Sequence, residues 1–235
     1  LNLSSSKISN YDKCQLSYKY ASLDLIPGFQ NNSIFILGNI VHRVLQEFHE
    51  SKLKSRNDLI QILDKYWDDK VYSYDCESHQ YYEDAKSMFS NYVKYLDDNP
   101  PSPILFEHYF KINIKNCILS GVIDRVDIDS SGRLIIYDYK TSKTQKKPAQ
   151  LKKSFQLPIY ALAIYCNGSE MHPEISDNCE FLLAGELSLR FENIEQVVEF
   201  SESEIKEFEN AINVLAEDIS SGVFAANPGF MSCMY

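Results

Sequence analysis

Residues 117–140 run CILSGVIDRVDIDSSGRLIIYDYK, and this stretch decides the fold class. Apolar and β-branched side chains recur with period two on both sides of residues 129–132, the pattern of two adjacent antiparallel strands. Ser130, Ser131 and Gly132 make a three-residue loop in which glycine supplies the positive φ such a loop needs. With residue 129 facing residue 133, counting back along both strands sets Asp124 opposite Asp138, with Cβ atoms about 5 Å apart. Residues two apart on a strand share a face, so Asp138 and Lys140 point the same way. A slip of one residue would turn Asp124 to the other face, so the site rests on this register.

Upstream, the chain reads as helix. Tyr11, Cys14 and Tyr18 recur at helical spacing behind a serine-rich cap, and a second helix from near Gly38 carries Ile40, Val41, Val44, Leu45 and Phe48 on one stripe. Further helices are expected over residues 59–72 and 82–96. Pro100, Pro101 and Pro103 end that pattern, because prolines cannot sustain a helix interior. A strand is expected over residues 104–114, ahead of those at 117–128 and 133–140. Downstream, a helix over residues 154–165 keeps Pro158 in its first turn, and a short strand covers residues 179–184. Ser201 and Glu204 form a capping box before a last helix that Gly222 ends. The order of helices, three strands, helix, strand and helix indicates an α/β fold with a small mixed sheet between helical layers. A chain of 235 residues suffices for one sizeable core, so we expect one domain over residues 1–235, mainly helical at 1–99 and α/β at 103–235.

Composition limits the function. The chain has 23 basic and 33 acidic residues, a net charge of -10, so any nucleic-acid site must be local rather than a property of the whole surface. A local basic run exists: Lys140, Lys143, Lys146, Lys147, Lys152 and Lys153 follow the last strand of the hairpin, and no acidic residue intervenes until Glu170. No apolar run approaches the roughly 18 residues of a membrane span, so no membrane partner is expected. Six cysteines lie scattered without a CxxC pair, which points to reduced thiols and a cytoplasmic setting.

Two carboxylates as close as Asp124 and Asp138 repel each other unless a proton or a cation lies between them. A divalent hard metal with oxygen ligands resolves this, and Lys140 would stand beside it.

The residues assembled so far resemble one family. Gly121, Val122, Ile123, Asp124, Arg125, Val126 and Asp127, then Asp138, Tyr139, Lys140 and Thr141, then Gln156, Leu157, Pro158, Ile159 and Tyr160, are similar to the motifs of the RecB-type branch of the PD-(D/E)XK nuclease superfamily. Gly38, Asn39, Ile40, Val41 and His42 resemble that branch's GxxxH helix. With the element around Tyr11 and Cys14, the resemblance spans nearly the whole chain in the family's order. It implies a restriction-endonuclease-like core: a small mixed sheet flanked by helices, with an N-terminal helical region. It implies His42, Asp124 and Asp138 as metal ligands, joined by the Tyr139 carbonyl, with Mg²⁺ or Mn²⁺ as the ion. Lys140 would be the catalytic lysine, and Gln156 and Tyr160 would orient it and contact the nucleic-acid backbone. Glu107 matches the family's additional acidic position. The implied substrate is DNA, as single strands or duplex ends, and the implied activity is that of an exonuclease, alone or with a helicase or recombination partner.

Members of this branch also bind a [4Fe-4S] cluster through four cysteines. Here only Cys14 and Cys233 stand at matching places, and truncation, decay and loss of the cluster are the alternatives. Other readings compete with the catalytic one. Asp138 and Lys140 also fit an exposed ion pair, and His42, about 120° from its helix's apolar stripe, also fits a solvated surface residue. Gln156 and Tyr160 also fit packing roles. Asp127 is expected to contact Arg125 or the turn rather than a metal. A nuclease-like module that holds DNA without cutting it, and a hydrolase of small phosphoesters, are the competing functions.

Overall fold

The structure, a computed structural model, describes residues 1–26, 32–177 and 179–227. The hairpin forms as its sequence dictates. Strands β3 (Cys117–Ile128) and β4 (Leu134–Lys140) pair antiparallel, Ile128 with Leu134 and Arg125 with Tyr137. The Asp129 N–H donates to the Arg133 carbonyl at 2.9 Å, Gly132 takes φ +78°, and the Asp129 carboxylate accepts the N–H groups of Ser131 and Arg133. This turn fixes the register that the site depends on.

Around the hairpin lies a mixed six-stranded sheet. Strand β2 (Pro103–Ile114) pairs antiparallel with β3, and β1 (Asn2–Leu3) joins β3 in parallel. Strand β5 (Phe181–Ser188) runs parallel to β4, and β6 (Glu195–Ser201) closes that edge antiparallel to β5. The helices are α1 (Ser5–Lys13), α2 (Gln15–Tyr18), α3 (Asn32–Glu50), α4 (Arg56–Tyr66), α5 (Asp75–Asp98), α6 (Pro148–Leu151), α7 (Gln156–Met171) and α8 (Glu202–Ser220).

Alternation along the strands divides the interior in two. Ile136, Leu182 and Ala184 face one apolar cluster, with Tyr11 of α1, Leu157 to Tyr165 of α7 and Ile205 and Ile212 of α8. Tyr137, Tyr139 and Leu187 face the other, with Val41, Leu45 and Phe48 of α3, Leu59 of α4 and Phe89 and Tyr92 of α5. The α/β architecture expected from the sequence is therefore present, helices covering both faces of a mixed sheet.

Several boundaries differ from expectation. The N-terminal helix breaks at Cys14, whose φ of -162° and ψ of 111° are extended, although Tyr11 and Tyr18 still pack with ring centroids 5.3 Å apart. Residues at helical spacing can thus share a core across a corner. Helix α3 starts six residues before Gly38, in a turn whose Ile34 and Phe35 are exposed and so leave no amphipathic signature. Helix α4 begins earlier than expected because Ser55 and Asp58 form a reciprocal capping box, and it ends at Tyr66, ahead of a 3₁₀ turn at Asp69–Val71. Strands β1 and β6 were not expected. The first has two residues; the second packs Val197 and Val198 on opposite faces, so it shows no clean period of two. The last helix has the expected Ser201 and Glu204 capping box and precedes Gly222 at φ +76°.

Candidate active site

The site forms where β2 and β3 both lose their regular alternation. Phe106 pairs with Arg125 and His108 with Ile123, leaving Glu107 and Asp124 facing each other between those pairs without ladder pairing. Glu107 has φ +39°, a left-handed conformation that a residue with a Cβ adopts at a cost. Leu105 and Phe110 lie in the same apolar cluster although strict alternation would put residues five apart on opposite faces. Ile123 and Val126 repeat the anomaly on β3. The strands thus change phase together, and the two carboxylates sit at the change.

Helix α3 brings His42 to this point. Its Nε2–H donates to the Tyr139 carbonyl at 3.0 Å, which turns Nδ1 toward Glu107 Oε1 and Asp124 Oδ2, each 3.4 Å away. Burial disfavours the imidazolium, but the charges of Asp124, Glu107 and Asp138 prevail and hold the ring's pKa well above its ordinary value. Among the described residues, His42, Glu107 and Asp124 form a group whose ligand atoms all lie within 4.8 Å of one another. Asp124 also accepts the Tyr139 N–H at 2.7 Å, so both backbone polar groups of Tyr139 are tied to site residues.

Asp138 is 1% exposed, and Lys140 lies against its Oδ2 without the angles of a hydrogen bond. Both Asp138 oxygens, and Glu107 Oε1, are buried without a hydrogen-bond partner. Burial raises the Asp138 pKa, Lys140 opposes the rise and Asp124 adds to it. Burial pulls Lys140 down, but the charge of Asp138 outweighs that and keeps it an ammonium. Lys140 Nζ donates to Gln156 Oε1 at 2.8 Å, and Gln156 Nε2 donates to the Tyr160 hydroxyl at 2.9 Å. The two α7 residues, four apart, therefore lie on one helix face in a single chain of contacts with Lys140. Burial, then Asp138 and Asp124, raise the Tyr160 pKa well above its ordinary value, so it remains a neutral phenol.

These donors fit a divalent hard cation. Carboxylate oxygens predominate, one imidazole nitrogen joins them, and Asp138 Oδ1 is buried with neither a hydrogen bond nor the Lys140 ion pair that Oδ2 has, which is costly unless a cation satisfies it. Nothing comparable supports an iron–sulfur cluster. Cys14 is buried at the corner between α1 and α2, and Cys233 lies outside the described residues.

Two groups of residues behind the site were not expected from the sequence, apart from the contact of Asp127 with Arg125. Glu186, in register with Asp138 on β5 and 3% exposed, adds negative charge that helps hold Lys140 protonated and binds Lys146 Nζ at 2.7 Å. The second is a polar network under α3 and α5. Arg125, 1% exposed, pairs with Asp127 at 2.7 Å, the contact expected for Asp127, and donates to the Tyr92 and Tyr139 hydroxyls. His49 Nε2 lies 2.6 Å from the Tyr92 hydroxyl. Tyr139 is thus held by its side chain as well as by its backbone. The DRVD run within the hairpin was the available sign of the Arg125–Asp127 pair; Tyr92 and His49 carried none.

The lysine run is less uniformly basic in space than in sequence. Lys146 pairs with Glu186 and Lys152 with Glu204, while Lys143, Lys147 and Lys153 have no ion pair among the described residues. No helix among the described residues is long and apolar enough to cross a membrane.

A family model described as the PD-(D/E)XK nuclease superfamily matches residues 2–235, which include every element of the site. No curated protein matches the chain.

Proposed function

The chain belongs to the PD-(D/E)XK nuclease superfamily, and from that premise we propose that it is a metal-dependent DNA nuclease of the RecB type, an exonuclease acting at DNA ends. The observation that carries this reading is the meeting of His42, Glu107 and Asp124 beside the contact chain of Asp138, Lys140, Gln156 and Tyr160. Helix α3 supplies a histidine, the β3–β4 hairpin the acidic pair and lysine, and α7 the Gln and Tyr, in the order of the RecB-type motifs. The whole chain acts as one domain, since elements from both its helical N-terminal part and its sheet build the site. Free thiols at the five described cysteines suit a reducing, cytoplasmic setting.

His42, Asp124, Asp138 and the Tyr139 carbonyl, with Glu107, would hold Mg²⁺ or Mn²⁺, which would supply charge neutralisation at the phosphate and an activated water. The chain's own residues do the rest. Lys140 is a cation with three N–H donors; one goes to Gln156, and the ammonium lies against Asp138 as an ion pair, so N–H capacity remains for a water or a phosphate oxygen. Because Asp138 and Glu186 keep it protonated, Lys140 positions and stabilises charge rather than accepting a proton. Gln156 is itself oriented by Tyr160, so its carbonyl oxygen stays aimed at Lys140. Tyr139 ties Asp124 and His42 to the strand between Asp138 and Lys140. The unpaired lysines of the following segment give the substrate's phosphates a local partner on an acidic protein, and binding should weaken with salt.

The test is cleavage of end-labelled single-stranded and linear duplex DNA beside a closed circle, with Mg²⁺, Mn²⁺ or EDTA and an Asp138→Asn control. Loss of the linear substrates alone, dependent on metal and absent in the variant, is expected. Cleavage of the circle would overturn the exonuclease assignment, and full activity of Asp138→Asn would overturn the site.

A further inference from the structure

A cavity of about 480 Å³ lies between the C-terminal end of α3 and the start of β2, and the chemistry described above does not use it. Its volume falls in the range of roughly 300–1,000 Å³ typical of small-molecule pockets. Phe48, Leu53 and Pro101 line it together with a stack of His49 on Phe106, whose centroids are 5.4 Å apart with planes at 16°. Lys52 and Lys54 stand with Glu50 and Asp97 among its polar lining residues, two charges of each sign, so the cavity has no net attraction for a free anion.

The cavity adjoins the site for a structural reason. In a regular strand Phe106 and Glu107 would point to opposite faces. The left-handed φ of Glu107 removes that opposition, and both side chains meet α3: Phe106 stacks on His49, and Glu107 faces His42. His42 and His49 are seven residues apart on α3, two turns or about 10 Å along one stripe. Phe106, a lining residue of the cavity, directly precedes Glu107 in the chain, so a DNA strand with its phosphate at His42 and Glu107 would bring a neighbouring nucleotide within reach of the cavity.

An aromatic and proline-lined cavity with a balanced polar lining suits a flat ring with a polar edge. We propose that it is a nucleobase subsite, taking the base of a nucleotide that flanks the scissile phosphate in single-stranded DNA. This rests on the nuclease reading. Stacking of the base on the aromatic wall would supply binding, and the subsite would favour ends whose bases are unpaired.

The experiment uses oligothymidylates in which one abasic position is moved along the strand, cleaved with Mg²⁺ by the full chain. We expect one position beside the cleaved phosphate to raise KM about tenfold when abasic, a factor typical of losing one stacked base. Phe106→Ala should abolish that position-specific penalty and raise KM for intact DNA more than it changes kcat. Leu53→Trp, which fills the cavity from a half-buried position, should do the same and serves if Phe106→Ala does not fold. A flat profile from an active wild-type enzyme would overturn the subsite and leave the nuclease reading standing. A penalty that persists in both variants would also overturn it, by placing the base elsewhere. Failure to cleave any DNA would overturn both readings together.

Discussion

On one face of the sheet, α7 packs Leu157, Ile159, Leu162 and Ile164 against β2, β4, β5 and α8 in an apolar cluster. On the other, α3 and α5 meet the same sheet through apolar residues and through a buried polar set: Arg125, Asp127, His49, Tyr92 and the Tyr139 hydroxyl. The apolar face is held by area and shape, which tolerate small shifts. The polar face is held by directional contacts whose loss leaves charge buried in low dielectric. The difference matters because α3, on the polar face, carries His42, whose ring must meet two carboxylates from β2 and β3. A helix seated by apolar packing alone could slide by fractions of an ångström at small cost; one tied through Tyr92 and Arg125 has less freedom.

The strongest way to test this contrast is at the point where both faces meet the site. Lys140→Ala should lower cleavage by roughly 10²–10³-fold or more while the thermal unfolding curve stays close to wild type, because Lys140 contributes more to chemistry than to packing. A large loss of stability would place Lys140 with the structural network instead.

Next comes the polar face itself. Arg125→Met leaves Asp127 buried and unpaired and should cost about 3–5 kcal/mol in urea unfolding, whereas the double change with Asp127→Leu should recover much of that. Failure of the double variant to recover would mean that the tyrosine hydroxyls, not Asp127, set the cost. Metal affinity measured on these variants sharpens the comparison: it should fall with Arg125→Met even under conditions where the protein is fully folded.

The apolar face should behave differently. Leu162→Ala, at a fully buried position of α7, should cost about 2–5 kcal/mol through lost contacts and a residual cavity, with activity per folded molecule unchanged. A drop in metal affinity as large as that of Arg125→Met would erase the distinction between the faces.

The last test concerns pH, where the effect per unit of pH is the smallest. Burial, aided by the nearby Arg125 charge, pushes the His49 pKa from 6.5 down to about 3, so the folded protein keeps this ring neutral. Above pH 6.5 the contribution is complete. As pH falls from 6.5 toward 3, the unfolded chain gains a proton that the folded chain does not, and stability should fall by up to about 1.4 kcal/mol per pH unit. His49→Gln should flatten this part of the profile, and an unchanged slope would remove His49 from the account.

Much of the site could be read from the sequence because it rests on local rules. A three-residue loop with Gly132 fixes the hairpin register, and with it the places of Asp124, Asp138 and Lys140; four-residue spacing puts Gln156 and Tyr160 together. His42 needed the family resemblance, since its helical position alone also fits a surface residue. What stayed hidden depends on residues far apart in the chain. Tyr92 and His49 meet Arg125 only after the fold has formed, and Glu186 lies beyond the end expected for its strand. The positive φ of Glu107 was equally invisible, because glutamate, unlike glycine, asparagine or aspartate, does not announce that conformation. The break at Cys14 went unseen for the opposite reason: Tyr11 and Tyr18 keep a helical spacing and a shared core while the backbone between them turns.

The paired phase change at Glu107 and Asp124 bears on how such a chain can vary over descent. A single-codon deletion at position 107 alone would give β2 strict alternation, and the phase of β3 would then no longer match it. Either the core residues beyond the lesion would face solvent or the ladder would slide by one step. Length changes here are tolerable only in matched pairs, and a matched pair of deletions would leave a smoother hairpin that had discarded both carboxylates. Insertions and deletions should therefore collect at the ends of the β2–β3 pair and avoid its middle, where regular backbone and a working site exclude each other.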